Sequence, residues 1–170
     1  MISIQRAETP EDLDAVRALV RSFVRWTMDE IGESDNPAIF AGLETELAGL
    51  PGRYGPPTGC LVLARLACEP AGCVAYYAHD AATVEVKRMF VLPQARGHGL
   101  GGRMLALLLA QARAAGFRRV LLSSHHRMHA AHATYRGAGF RDVPVSNEFP
   151  SAVAGVDVCM VLTFPHQADS

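Results

Sequence analysis

Apolar residues at Leu13, Val16, Val20, Phe23 and Val24 recur every three or four positions through "TPEDLDAVRALVRSFVRWTMDEI". That spacing lines one face of a helix. Thr9 stands at the N-cap, Pro10 at the first helical position, and acids fill the first turn. "MISIQRA" reads as a strand before it. A second helix is predicted over "PAIFAGLETELAGL", stopped by Pro51-Gly52, with "PGRYGPPTG" as loop.

The period then shortens. "CLVLARL" and "GCVAYYAHD" read as strands joined through "ACEPA" in a hairpin-like connection, and "TVEVKRMFV" is a further strand closed by Pro93. An amphipathic helix over 100–115 ends at Gly116 as a C-cap. "RRVLLSS" is a strand, "RMHAAHATYRGAG" a shorter helix, "FRDVPV" a turn into another strand, and "GVDVCMVLTF" the last strand. The expected fold is a single α/β (α+β) domain over 1–164: a mixed, mostly antiparallel central sheet of about seven strands flanked by helices. Residues 165–170 form a short polar tail.

Composition adds bounds. With 170 residues, 49% hydrophobic and 19% charged, the chain is long enough to bury one core. No apolar run approaches the roughly 20 residues that span a bilayer, so no membrane partner is expected. The start shows no basic segment followed by an apolar one, and a cytoplasmic location is expected. Cys60, Cys68, Cys73 and Cys159 lack metal or CxxC spacing and are expected as free thiols. Charge is uneven. Val86 to Arg141 contains no Asp or Glu but holds Lys87 and nine arginines, whereas residues 1–85 hold 13 acids and six arginines. The basic block points to an anionic ligand; the acidic half and near-neutral pI argue against nucleic acid.

"QARGHGLGGRM" sits between a strand and a helix and has four glycines. Its "GHGLGG" satisfies GxGxxG, but a dinucleotide fold wants that motif in its first strand–helix unit, with an acid about 20 residues later. Here the fourth strand leads into it, and "RRVLLSSHH" has no acid. A P-loop lacks its GxxxxGK[ST]. Backbone N–H groups of residues 96–102 at a helix start nonetheless make an anion cradle, which Arg96 and Arg103 can supplement.

Read as Gln94-x-x-Gly97-x-Gly99, following "MFVLP" and preceding an amphipathic helix, the stretch resembles the pyrophosphate signature of the GCN5-related N-acetyltransferase (GNAT) superfamily. "VEVKRMFVLPQARGHGLGGRML" carries the resemblance and "YRGAGF" supports it downstream. The resemblance implies the GNAT fold, acetyl-CoA as co-substrate and no metal. It places the cradle on Arg96, Gly97, His98, Gly99, Leu100, Gly101, Gly102 and Arg103. It also implies that backbone groups of Met89, Phe90 and Val91 hold the pantetheine arm, and that an N–H near Val91 polarises the thioester.

Within that resemblance Tyr135 matches the tyrosine that protonates the leaving thiolate. The chain departs from the pattern with Thr134 where Leu is usual and Met128 where some members carry Asn. Glu85, six residues before Val91, is the candidate base or substrate-cation group, or else a structural ion-pair partner of Lys87, which alternation puts on the same strand face. A carboxylate takes a proton from an ammonium only with help from burial or a bridging water. His79 and Asp80 are secondary candidates. His125, His126, His129 and His132 cluster without an acid beside them, which weighs against a metal.

The activity implied is acetyl transfer to a primary amine, of a small molecule first, by direct attack in a ternary complex. A protein N-terminus or lysine as acceptor, or a non-catalytic acyl-CoA-binding module, are the alternatives. The acceptor pocket is expected from the first two helices and "PGRYGPPTG", with Trp26, Phe40, Tyr54 and the acids Asp29, Glu30, Glu33 and Asp35 suited to a cationic amine. A homodimer is compatible with this reading.

Overall fold

The structure, a computed structural model, describes residues 1–31 and 42–166. Among these, seven strands form one sheet: β1 (Ile2–Arg6), β2 (Gly59–Leu66), β3 (Glu69–Ala78), β4 (Thr83–Val91), β5 (Arg119–His125), β6 (Arg141–Val143) and β7 (Asp157–Thr163). Their spatial order is β1-β2-β3-β4-β5-β7-β6. Every neighbouring pair is antiparallel except β4 and β5. The helices are α1 (Pro10–Ile31), α2 (Leu43–Ala48), α3 (Leu100–Ala114) and α4 (His129–Gly137). The mixed seven-stranded sheet expected above is present. No described helix is long and apolar enough to cross a membrane.

The start of α1 follows the expectation and improves on it. The Asp12 N–H donates to Thr9 Oγ1 at 3.1 Å, and the Asp12 carboxylate accepts from the Glu8 and Thr9 N–H groups at 3.2 and 3.3 Å. This reciprocal cap satisfies donors that a helix start otherwise leaves unpaired. Arg65 on β2 closes onto the same carboxylate at 2.9 Å, tying the helix to the sheet. The second helix is shorter than expected: α2 covers only Leu43–Ala48, and residues 37–41 lie outside the described part. The β2–β3 connection is also tighter than "ACEPA" suggested. Ala67 and Cys68 alone link the strands, both at positive φ, the backbone a two-residue hairpin turn demands.

Two apolar layers sandwich the sheet. On one face α3 supplies Leu100, Met104, Leu105 and Leu108 against Val62, Val74, Val84 and Val120. On the other, α1 and α2 supply Val16, Leu19, Val20 and Leu47 against Leu61, Leu63, Cys73 and Ala75. A smaller cluster of Leu121, Phe149, Cys159 and Val161 lies where the 144–156 loop meets β5 and β7. Cys60, Cys73 and Cys159 are buried free thiols, while Cys68 is exposed in its turn. Burial pushes the Cys73 thiol up to about 12.

Two features of β4 position the site. It pairs with β5 at only three residues, Thr83 to Glu85, so the parallel ladder stops at Glu85↔Leu121. It also carries a bulge. Cys73 faces Phe90 and Ala75 faces Lys87, two steps on β3 against three on β4, and Arg88 takes φ 60 to absorb the extra residue.

Candidate active site

Where β4 and β5 stop pairing, a cleft of about 690 Å³ opens between them. Val86 to Val91 form one wall, Ser123 to His125 and α4 the opposite wall, and the glycine-rich loop the floor; Phe23, Trp26 and Thr27 of α1 close it from one side.

The floor has the properties of an anion cradle. Gly97 and Gly99 sit at φ 85 and 71, a left-handed backbone that favours glycine. Gly99 caps α3 without any side-chain hydrogen bond, and the first backbone bond of the helix runs from the Arg103 N–H to the Gly99 carbonyl. The N–H groups of Leu100, Gly101 and Gly102 are therefore left for a ligand, at the positive end of the helix dipole. The Leu100 side chain itself is core. Gly101 faces Met89, whose Cε would come within 3.3 Å of an added Cβ. The Arg96 guanidinium lies 4.6 Å over the Trp26 ring, and its Nε donates to the Val91 carbonyl at 3.3 Å. His98 and Arg103 are exposed and turn away from the cleft, His98 against the Ala95 carbonyl.

The strand wall presents backbone that no neighbouring strand pairs. The Leu92 N–H bonds back to the Ala71 carbonyl of β3. Alternation therefore directs the N–H and carbonyl of Val91 to the opposite edge, where β5 no longer pairs. Met89, Phe90 and Val91 all line the cleft; alternation splits their side chains, and the bulge at Arg88 decides which face each takes. Met89 and Val91 pack with the α3 layer, whereas Phe90 turns to Phe23 and Trp26 of α1, with ring centroids 5.2 and 6.1 Å away.

Tyr135 reaches the cleft from α4 and is only 5% exposed. Its ring leans on Phe140 at 5.8 Å. Burial pushes its phenol well above the ordinary tyrosine value, so it stays protonated. Glu85 is fully buried and does not line the cleft. The Tyr77 hydroxyl donates to its Oε2, His79 Nε2 stands 3.3 Å from the same oxygen, and Lys87 Nζ lies 3.8 Å away. Its other oxygen, Oε1, has no hydrogen-bond partner among the described residues. Burial first, and the neighbouring Glu85 second, push the Tyr77 phenol up.

A polar network continues from this carboxylate toward α2. The Arg53 guanidinium stacks 4.0 Å over the Tyr77 ring and bonds Glu46 at 3.0 Å. Tyr54 donates to Glu46 at 2.9 Å, and Arg88 pairs with the same carboxylate at 2.7 Å. Burial opposes ionisation of Glu46, but Arg88 leads the contacts that hold it below the ordinary carboxylate range. Sequence reading overlooked Tyr77 and the turn of Arg88 toward Glu46, while the Lys87–Glu85 contact was anticipated from their shared strand face. The signal was present as charged residues inside an otherwise apolar strand. Of the acceptor candidates, Asp29 and Glu30 are exposed at the end of α1, while Phe40, Glu33 and Asp35 lie outside the described residues.

The histidines do not converge. His125 and His126 stack at 4.5 Å, His129 and His132 meet edge to face at 6.2 Å, and His132 is buried. Among the described residues no three His, Cys, Asp or Glu side chains gather as metal ligands would.

Known proteins resemble this chain in sequence and in fold. The sequence profile of the acetyltransferase (GNAT) family matches residues 20–140. An uncharacterised N-acetyltransferase of Schizosaccharomyces pombe is 29% identical over 142 residues, covering 82% of this chain and 83% of the relative. The fold is that of a putative acyl-CoA N-acyltransferase from Klebsiella pneumoniae, with TM-score 0.72 and 26% identity over 96% of this chain and 97% of the other. It is also that of the PaiA N-acetyltransferase from Thermoplasma acidophilum, solved with coenzyme A, with TM-score 0.77 and 15% identity over 96% and 99% of the two chains.

Proposed function

The chain belongs to the acetyltransferase (GNAT) family, and from that premise we propose that it moves the acetyl group of acetyl-CoA to the primary amine of a small molecule within a ternary complex. One observation carries the reading. The β4–β5 ladder ends at Glu85 and opens onto a cleft whose floor is an uncapped, glycine-lined helix N-terminus and whose wall holds a buried, protonated tyrosine.

The residues present fit coenzyme A. Free N–H groups at the start of α3 suit a pyrophosphate, and Arg96 can leave Trp26 to join them. The unpaired edge of β4 at Val91 suits an extended amide-bearing arm, added like a strand. Bound there, acetyl-CoA supplies an acyl thioester.

In the transfer a carbon–nitrogen bond forms, the carbon–sulfur bond breaks, and one amine proton is lost while the departing sulfur gains one. Tyr135, kept protonated by burial, holds the proton for that sulfur. The Val91 N–H faces the position where negative charge grows on the carbonyl oxygen. Glu85 receives the amine proton, and because it is buried away from the cleft it does so through Tyr77, His79 or a water. Glu85 is thus a positioning and proton-holding group behind the surface that meets the amine.

Calorimetric titration with acetyl-CoA, and separately with NADH, tests the reading, with the double variant Arg96→Ala/Gly99→Ala as control. Micromolar acetyl-CoA binding that the variant loses, with no response to NADH, is expected. Absence of acetyl-CoA binding would sink the proposal.

A further inference from the structure

The bulge in β4 does more than widen the cleft. Strand alternation alone would send Lys87 and Arg88 to opposite faces of the sheet. With Arg88 at φ 60, both side chains instead point to the α1–α2 face: Lys87 toward Glu85, Arg88 toward Glu46 of α2. Both also line the cleft. A bulge that re-aims side chains beside an active site is a recurrent device.

The charges at this corner do not balance among the described residues. Arg53 and Arg88 share the single carboxylate of Glu46, and Lys87 is left with Glu85. Three cations thus meet two anions in direct contact, and Glu30, the acid at the exposed end of α1 that also lines the cleft, pairs with none of them among the described residues. The Glu85 carboxylate, moreover, is already engaged by Tyr77, and at 3.8 Å its contact with Lys87 is too long for a hydrogen bond. The closest acceptor to the Lys87 ammonium is the neutral Ser151 hydroxyl at 3.4 Å. Nearby on α1, Thr27 also lines the cleft, and its buried hydroxyl has no hydrogen-bond partner among the described residues.

We propose that Lys87 and Arg88, with Thr27 beside them, form a subsite for a carboxylate carried by the acceptor, so that the amine acetylated belongs to an amino acid or similar amino-carboxylate and not to a plain alkylamine. This rests on the acetyltransferase reading and narrows its substrate. The phosphates of coenzyme A do not compete for the pair. Their cradle begins beyond Val91, which is four residues past Lys87, roughly 13 Å away at the rise of a strand. Burial, together with the guanidinium groups of Arg88 and Arg53, disfavours the Lys87 ammonium despite Glu85, and a bound carboxylate relieves that cost. With its carboxylate held there, such an acceptor lies against the residue that contacts Glu85; Tyr77 and His79 stand behind that contact, outside the lining of the cleft.

The test is acetylation of α-amino acids with acetyl-CoA, each beside the amine lacking only the carboxylate and the amide that masks it. Release of the coenzyme A thiol is followed for wild type, Lys87→Met and Lys87→Arg. Circular dichroism and thermal melts confirm that each variant is folded, and calorimetry that each binds acetyl-CoA. The expected result is wild-type preference for the carboxylate-bearing member. Lys87→Met should raise its KM about 10- to 100-fold, the worth of one charge-assisted hydrogen bond, and erase its advantage over the plain amine, with Lys87→Arg restoring most of that preference. Equal use of both members, a uniform loss in Lys87→Met, or acetyl-CoA binding with no amino acid acetylated would overturn the subsite and leave the acetyltransferase standing. Failure of wild type to bind acetyl-CoA would remove the acetyltransferase reading, and the subsite with it.

Discussion

Tyr77 on β3 and Glu85 on β4 are register partners, and the phenol of one donates to the carboxylate of the other. The bond sits at the last rung before β4 and β5 part, with His79 beside it and still partly open to solvent. A buried carboxylate is thereby linked to the surface through two side chains that can pass a proton.

Glu85→Gln should lower kcat by about 100-fold, the usual scale of acid–base assistance, and leave acetyl-CoA affinity unchanged. Tyr77→Phe should lower kcat less, because the carboxylate stays in place and loses only one hydrogen-bond donor. Steady-state kinetics across pH, beside calorimetry with acetyl-CoA, would check both. A Glu85→Gln enzyme of full activity would reduce Glu85 to a structural group.

Tyr135→Phe removes one hydroxyl from a side chain that packs on Phe140 and makes no hydrogen bond among those described. Folding and acetyl-CoA binding should therefore survive, while turnover falls by about 100-fold or more. Thioester cleavage measured beside binding separates the two effects. A parallel loss of both would mean the ring, not the hydroxyl, is what matters.

At Gly99 an added methyl meets open space, but φ 71 remains. Gly99→Ala should cost about 1–2 kcal/mol through backbone strain alone and weaken acetyl-CoA binding by distorting the cradle. Gly102→Ala, also with open space but without the left-handed backbone, should be nearly silent in stability. Denaturant melts of the pair, with calorimetry, check this.

Asp12 governs stability at acid pH. Burial would raise its pKa, but the Arg65 contact and the Glu8 and Thr9 N–H groups outweigh it and hold the carboxyl below its ordinary value. Its stabilisation is therefore complete above the unfolded value near 3.8 and is lost as pH falls through the lower folded value. Asp12→Ala should cost about 2 kcal/mol at neutral pH from the lost cap and ion pair. The wild-type and variant stability curves should converge in acid. Urea melts at several pH values would show it; a gap independent of pH would contradict the assignment.

The amino-acid order by itself settled whatever depends on neighbours in the chain. Thr9, Pro10 and Asp12 start α1 because a cap needs only residues within one turn. Gly116 ends α3 at φ 92 for the same reason. The glycines before α3 announced a cradle because close backbone approach requires their missing side chains, whereas Tyr135 entered only through the family resemblance that "YRGAGF" carries. What the tertiary structure alone decided concerns parity and company. Alternation along "VEVKRMFV" puts Lys87 and Met89 on one face and Arg88 and Phe90 on the other. The bulge inserts one residue against β3 and reverses that assignment from Arg88 onward. A bulge is set by how two distant strands meet, and no local pattern encodes it. The burial of Glu85 behind Tyr77, His79 and Lys87 likewise depends on three separate positions converging. The bulge's location decides which side chains of β4 turn toward α1 and α2; the early end of the β4–β5 ladder decides that a cleft opens beside them.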